Sequence, residues 1–141
     1  MEDEIMGDCV FCNIANGIWD SATVYEDEDF RAVLDIAPAA KGHVLILPKK
    51  HMANLYEIDE DIAAKALKLA SKIAKAQKKA LKCDGINLLQ NSEEAAWQSV
   101  FHLHIHLIPR YKDDGVVIPW KTLSYADGEA NEYAQRIKAE L

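Results

Sequence analysis

The chain has little of what builds fibres, disulfide scaffolds or membrane spans. Its 141 residues include 6 glycines and 4 prolines, too few for a collagen-like or low-complexity protein. Its 3 cysteines are too few, and odd in number, for a disulfide framework. Positive charge is in deficit, with 16 Lys and Arg against 23 Asp and Glu and a net charge of −7. Binding duplex DNA needs a field of Lys and Arg, so no nucleic-acid partner is expected. A small anionic ligand still fits, because a pocket can be locally positive. The longest aliphatic run is Val44-Leu45-Ile46-Leu47. A bilayer span needs about 18 apolar residues, so no membrane partner is expected. The acidic N-terminal residues Glu2, Asp3 and Glu4 adjoin no apolar stretch. That predicts no secretory signal and a reduced, cytoplasmic protein.

What is present suits a globular protein. Half of the residues are hydrophobic, enough for a core that buries roughly 70% of the unfolded surface. No repeat or linker interrupts the chain, which predicts one domain over 1–141, with a core of about 9–110 and a tail of 111–141. A short helix is expected over Asp8–Gly17, capped by Asp8 and stopped by Gly17. Strands are expected at Thr23–Glu26 and Phe30–Asp35, around an Asp27-Glu28-Asp29 turn, and at His43–Leu47, stopped by Pro48. A long helix starts near Asp59, with Glu60 and Asp61 in its first turn. Ile62, Ala66, Leu69, Ile73, Ala76 and Ala80 form its inward stripe, and Gly85 is its left-handed stop. Ile86–Gln90 and Val100–Ile108 are further strands, the second ended by Pro109. A polar loop spans Asn91–Gln98, and a short helix spans Glu129–Leu141. Lys65, Lys68, Lys72, Lys75, Lys79 and Lys82 share one helix face. They read as a solvated face rather than a docking surface.

The chemistry concentrates in Val100–Ile108. Side chains alternate along a strand, so His102, His104 and His106 share one face, while Leu103, Ile105 and Leu107 share the other. Three of the chain's 5 histidines fall within five residues. Two chemistries suit three stacked imidazoles. One is a metal site, since neutral imidazole is a common ligand. The other is nucleophilic attack on phosphorus, since imidazole is largely neutral at pH 7 and a phosphoryl-imidazolium is labile. Asn91, Gln98 and Ser99 precede the run and offer neutral donors for phosphate oxygens. His43 could add a fourth imidazole, and Asp35 could accept two ribose hydroxyls. Cys9 and Cys12 form a CxxC, which alone fits a redox pair, a metal site or coincidence equally. Cys83 reads as a packing residue.

These residues resemble the histidine triad (HIT) family. The His102-x-His104-x-His106 run with Leu107-Ile108 matches its signature, as do Gln98-Ser99-Val100-Phe101, Leu34-Asp35-Ile36 with Pro38, and Gly42 to His51. The arrangement is closest to the Hint-like bacterial branch. The resemblance implies an α+β fold with a five-stranded antiparallel sheet, one long helix and short terminal helices. It also implies a homodimer joined through the long helix and the Ile86 strand. It implies a purine nucleoside phosphoramidate or dinucleoside polyphosphate as substrate. His104 would be the nucleophile, His102 would orient it, and His106 and His43 would hold phosphate oxygens. Ser99 would meet the leaving group, Gln98 and Asn91 would position phosphate, and Asp35 would bind ribose. Phe11, Ile14, Val33 and Ile36 would form the base pocket. The resemblance also implies one structural zinc on Cys9, Cys12, His51 and His102. Alternatives from other classes are a metal-dependent hydrolase that uses the His trio as ligands and a nucleotide-binding adaptor without turnover. The chain departs from the family pattern at Ala96-Trp97 and Ser92, where small residues, often glycine, are usual. A bulky Trp there either restricts a positive φ or lines the leaving-group side.

Overall fold

The computed structural model describes residues 7–141. The acidic N-terminal residues Glu2, Asp3 and Glu4 lie outside them. In chain order the elements are α1 (Val10–Ala15), β1 (Thr23–Glu26), β2 (Phe30–Leu34), β3 (Val44–Pro48), α2 (Glu60–Leu81), β4 (Gly85–Leu89), a 3-10 turn (Glu94–Ala96), β5 (Ile105–Arg110) and α3 (Glu129–Lys138). The strands form one sheet in the order β1-β2-β3-β5-β4. Every pairing is antiparallel. No helix among the described residues is long and apolar enough to cross a membrane.

The apolar run of β3 is explained by burial on both faces. Val44 and Ile46 face α2 with Phe30, Ala32 and Leu107, around Ile62, Ala66, Leu69 and Ile73 of the helix. Leu45 and Leu47 face the other way, with Val33, and pack on Ala15, Phe11 and Ile14 from α1. The sheet thus has α2 on one face and a small apolar layer under α1 on the other. Leu45 pairs with His106 across the β3–β5 ladder, so the catalytic candidates lie on the α1 side.

Several boundaries differ from those expected, each for a local reason. Cys9, not Asp8, caps α1, and its Sγ accepts the Cys12 N–H at 3.3 Å. The helix α2 begins as expected, with Asp59 Oδ1 accepting the Ile62 N–H. Its left-handed stop is Lys82 at φ 55°, not Gly85, which starts β4. Its inward stripe runs through buried Gln77, whose amide donates to the Gly42 and Leu107 carbonyls, while Ala76 and Ala80 are exposed. Gly42 itself is required. It has φ 93°, and a Cβ there would lie 2.5 Å from Leu81 Cδ1. Pro48 is the last residue of β3, while Pro109 lies inside β5 and does not end it. Each sits within a ladder, opposite Phe30 and Ile86 respectively. In the lysine stripe, Lys65 pairs with Asp29 and Asp61, and Lys72 lies over the Tyr25 ring, as a solvated face would.

Candidate active site and metal cluster

The expected nine-residue strand over Val100–Ile108 is only half a strand. β5 starts at Ile105. The segment before it bonds to the chain after β3 instead of extending the ladder. The Leu103 N–H donates to the Met52 carbonyl at 2.7 Å, and His102 Nε2 donates to the Pro48 carbonyl at 2.8 Å. The three histidines therefore do not share one face. His102 is fully buried and turns toward the cysteines, while His104 and His106 line an open cleft.

Hydrogen bonds assign the protons. His104 Nδ1 lies 2.8 Å from the His102 carbonyl, an acceptor, so Nδ1 carries the hydrogen and Nε2 keeps its lone pair. Among the described residues no protein group bonds that Nε2. The Ala39 N–H donates to His43 Nδ1 at 3.0 Å, so His43 carries its hydrogen on Nε2. That hydrogen is donated to His106 Nδ1 at 2.9 Å, which leaves His106 with its own N–H on Nε2. The site thus pairs a free imidazole lone pair on His104 with an imidazole donor on His106, ring centroids 5.0 Å apart. Burial holds all of these rings neutral. It lowers His104 and His43 below the usual imidazole range, and it pushes His106 down to about 4, helped by His104 and His43 beside it.

The cleft has a volume of about 550 Å³, within the range of nucleotide-sized pockets. It brings together most of the expected residues: Phe11, Ile14, Val33, Asp35, Ile36, Ser99, His104 and His106. Phe11 packs edge-on to His104 at 4.9 Å between centroids. Asp35 Oδ1 accepts the Ala37 N–H, and its Oδ2 lies 3.7 Å from His43 Nε2. Two expected phosphate ligands are not brought in. Gln98 is buried, and its amide is committed to the loop: Nε2 donates to the Ala53 and Val100 carbonyls, and Oε1 accepts the Glu93 N–H at 2.7 Å. Asn91 follows β4 and does not line the cleft either. Sequence reasoning missed Trp19, which lines the cleft just beyond α1. An aromatic in a short loop after a helix stop was the available signal. It also missed the Ala39 N–H and the Pro48 carbonyl, backbone groups that no residue type announces.

Two clusters bring metal-ligating atoms within 4.8 Å of one another among the described residues: Cys9, Cys12, His51 and His102, and Asp35, His43 and His106. The second does not fit a cation. His43 Nδ1 is taken by the Ala39 N–H, so its Nε2 is a donor rather than a lone pair. The first fits well. His102 Nδ1 is 3.4 Å from both sulfurs, and His51 Nδ1 is 3.3 Å from Cys12 Sγ. The edge between S and N ligands around a tetrahedral zinc is about 3.5 Å, given usual bond lengths. His102 Nε2 donates to Pro48, so its Nδ1 lone pair faces the sulfurs, the tautomer a metal needs. Burial, with Cys9 alongside, pushes the Cys12 thiol up to about 11, so a thiolate there calls for a cation. The alternative of a metal held by His102, His104 and His106 fails on the same geometry. His102 points its free nitrogen at the cysteines, and the trio forms no such cluster among the described residues.

A five-stranded antiparallel α+β fold that presents a free imidazole nitrogen beside an imidazole donor defines a class: small domains with a histidine-lined cleft and an adjoining Cys/His cluster. The HIT domain model matches residues 17–113, and the chain belongs to that family. It is similar to a protein of Bacillus subtilis named protein hit, 44% identical over 94% of this chain and 91% of that one. It is also similar to an adenosine 5′-monophosphoramidase of Saccharomyces cerevisiae, 40% identical over 79% and 69%. A crystal structure of a Zn-bound histidine triad family protein from Mycobacterium smegmatis superposes with a TM-score of 0.75, at 34% identity over 94% and 97%. The CxxC lies before the segment that the family model matches.

Proposed function

We propose that the protein hydrolyses a purine nucleoside phosphoramidate or dinucleoside polyphosphate at its α-phosphate, through a nucleotidyl-histidine on His104. One observation carries this reading: the His102 carbonyl holds the His104 proton on Nδ1, so the Nε2 lone pair serves the cleft. A relative named for adenosine 5′-monophosphoramidase activity supports the substrate class.

In the first step Nε2 attacks the α-phosphorus. The bond to the leaving group breaks, and the departing amine or polyphosphate keeps the electron pair and gains a proton. Ser99 Oγ–H, at the cleft, relays that proton to the departing group from solvent water. The charge that builds on the phosphoryl oxygens meets the His106 Nε2–H, which is held in place by His43. In the second step water attacks phosphorus and gives its proton back to solvent, the P–N bond to His104 breaks back to the neutral ring, and nucleoside monophosphate leaves. Asp35 takes the ribose hydroxyls. Phe11, Ile14, Val33 and Ile36 take the base.

Cys9, Cys12, His51 and His102 would hold one zinc, supported by the Zn-bound relative and the fit of the four ligand atoms. Bound there, zinc is structural and fixes the ring and backbone of His102. Its thiolates suit a reducing compartment such as the cytoplasm. The chain would pair with a second copy through β4, the sheet edge beside α2. Leu88 on β4 and Leu67 on α2 are exposed there.

The test is AMP release from adenosine 5′-phosphoramidate and from a diadenosine polyphosphate, with wild type and His104→Ala, with and without chelator. The expected result is release that His104→Ala abolishes and that chelator does not stop at once. Tight AMP binding without release would instead identify an adaptor, and immediate loss on chelation a catalytic metal.

A further inference from the structure

Two backbone conformations in the loop before the histidines are left without a role by this mechanism. Glu93 has φ 74°, ψ 159° and Trp97 has φ 72°, ψ 24°. The first is almost glycine's alone, and bulky L residues rarely adopt the second. The sequence expectation placed glycine-like positions at Ala96-Trp97 and Ser92; the structure has a positive φ at Trp97, and at Glu93 rather than Ser92. Such strain persists only where the surroundings enforce it, and it concentrates where function needs it.

The surroundings do enforce it. The Gln98 N–H donates to the Glu93 carbonyl, and the Trp97 N–H to the Glu94 carbonyl. The Gln98 amide ties the loop to Ala53, Val100 and Glu93, and Ser92 Oγ accepts the Leu55 N–H at 3.1 Å. The loop is rigid, yet the indole it presents gains no packing. Trp97 is 81% exposed, and its ring has no hydrogen-bond or aromatic partner among the described residues. Ser99, two residues on, lines the cleft. Trp97 does not itself line the cleft, but two residues of chain span at most about 7 Å, so its indole stands within reach of the cleft mouth.

The geometry points to Trp97 as a specificity-determining residue, an indole carried on an ordered loop beside the cleft mouth that stacks on a planar aromatic leaving group. This rests on the nucleotidyl-transfer reading, in which the leaving group departs past Ser99. An exposed indole on an ordered backbone suits a flat π-surface better than ammonia or an aliphatic amine. That surface has two possible sources: the second base of a dinucleoside polyphosphate or the ring of an aromatic amine joined to AMP.

The experiment measures kcat and KM for three substrates: adenosine 5′-phosphoramidate, adenosine 5′-tryptamine phosphoramidate and diadenosine tetraphosphate. Wild type is compared with Trp97→Gly and Trp97→Phe. Glycine relieves φ 72°, so Trp97→Gly is expected to fold and to melt higher than wild type. In that variant the kcat/KM ratio of an aromatic substrate to the ammonia substrate should fall about 5- to 100-fold, mostly through KM, as expected for a lost stacking partner. Trp97→Phe should keep most of the ratio. The aromatic substrate that suffers identifies the source. Equal ratios in wild type and Trp97→Gly for both aromatic substrates would overturn the proposal. So would an equal fall for all three substrates together with a smaller sedimenting species, which would make the indole a contact between copies. Should wild type release no AMP from any substrate, the nucleotidyl-transfer reading fails by itself. Equilibrium titration with the tryptamine and ammonia conjugates then decides the role of Trp97. A preference for the tryptamine conjugate that Trp97→Gly abolishes supports it, and equal affinities overturn it.

Discussion

Each ring in the cleft takes its protonation from one neighbour, and the first neighbour is a main-chain amide. The Ala39 N–H fixes His43, His43 fixes His106, and the His102 carbonyl fixes His104. Removing the middle of this relay leaves His106 free to choose the wrong tautomer. His43→Ala is therefore expected to lower kcat by about 10²-fold, the usual cost of a lost transition-state donor, with less change in KM. Single-turnover rates of AMP release check this. At the same scale, Glu93→Gly relieves a backbone region that glycine alone enters freely. It should raise unfolding free energy by about 1–2 kcal/mol in urea titration. The histidines were legible because imidazoles at alternate positions have few other uses. Gln98 was not read correctly: an amide before a phosphate-binding run looks like a ligand, and only the loop geometry shows its hydrogen bonds spent on Ala53, Val100 and Glu93.

The elements were mostly legible, and the exceptions share a cause. β1 and the start of α2 fall where alternation and capping placed them. Two ends, the stop of α2 and the start of β5, slipped because a partner distant in sequence competes, Arg110 taking Gly85 into β4. α2 stops at Lys82 rather than Gly85, and β5 loses its first half because Leu103 and His102 bond to Met52 and Pro48. Periodicity sees only the segment itself, so a competing backbone partner some 50 residues away is invisible to it. The buried stripe of α2 carries the helix against the sheet. Ile73 sits in that core beside Val44, Ile46 and Leu107, and Ile73→Ala should cost about 2–5 kcal/mol in urea unfolding through the cavity it leaves. The same change should leave the tautomers of the cleft intact, since α2 covers the opposite face of the sheet.

For the molecule as a whole, two anchors lie outside the hydrophobic core. One is the Cys/His cluster that joins α1 to the segment before β5. With one zinc per chain, metal at a thousandfold above its dissociation constant adds about 4 kcal/mol of stability. Chelation should release that zinc and lower the melting temperature, and Cys12→Ser should give the same low value without chelator. Metal analysis alongside thermal melting checks both. The other anchor is the Arg110–Asp114 pair, where the two side chains meet at 2.8 Å and Arg110 also reaches Asn87 and Val116. The guanidinium, with the Tyr111 and Val116 N–H groups, holds the Asp114 carboxyl far below the usual carboxylate range. A depressed folded pKa stabilises fully above the unfolded value, about 3.9, and the gain is lost as pH falls below it. The stability gap between wild type and Asp114→Asn should thus be largest near neutral pH and shrink below about pH 4. Melts from pH 7 to pH 2 measure it.

His102 belongs to both halves of this molecule at once. Its ring faces the two sulfurs, and its carbonyl, a few bonds away, orients the His104 ring. Free energy exchanged through one shared residue is reciprocal. Nucleotide in the cleft would then tighten the hold on a cation in the cluster by the same factor as that cation tightens the hold on nucleotide. A nucleotide-loaded protein should therefore surrender its metal to a chelator more reluctantly than an empty one.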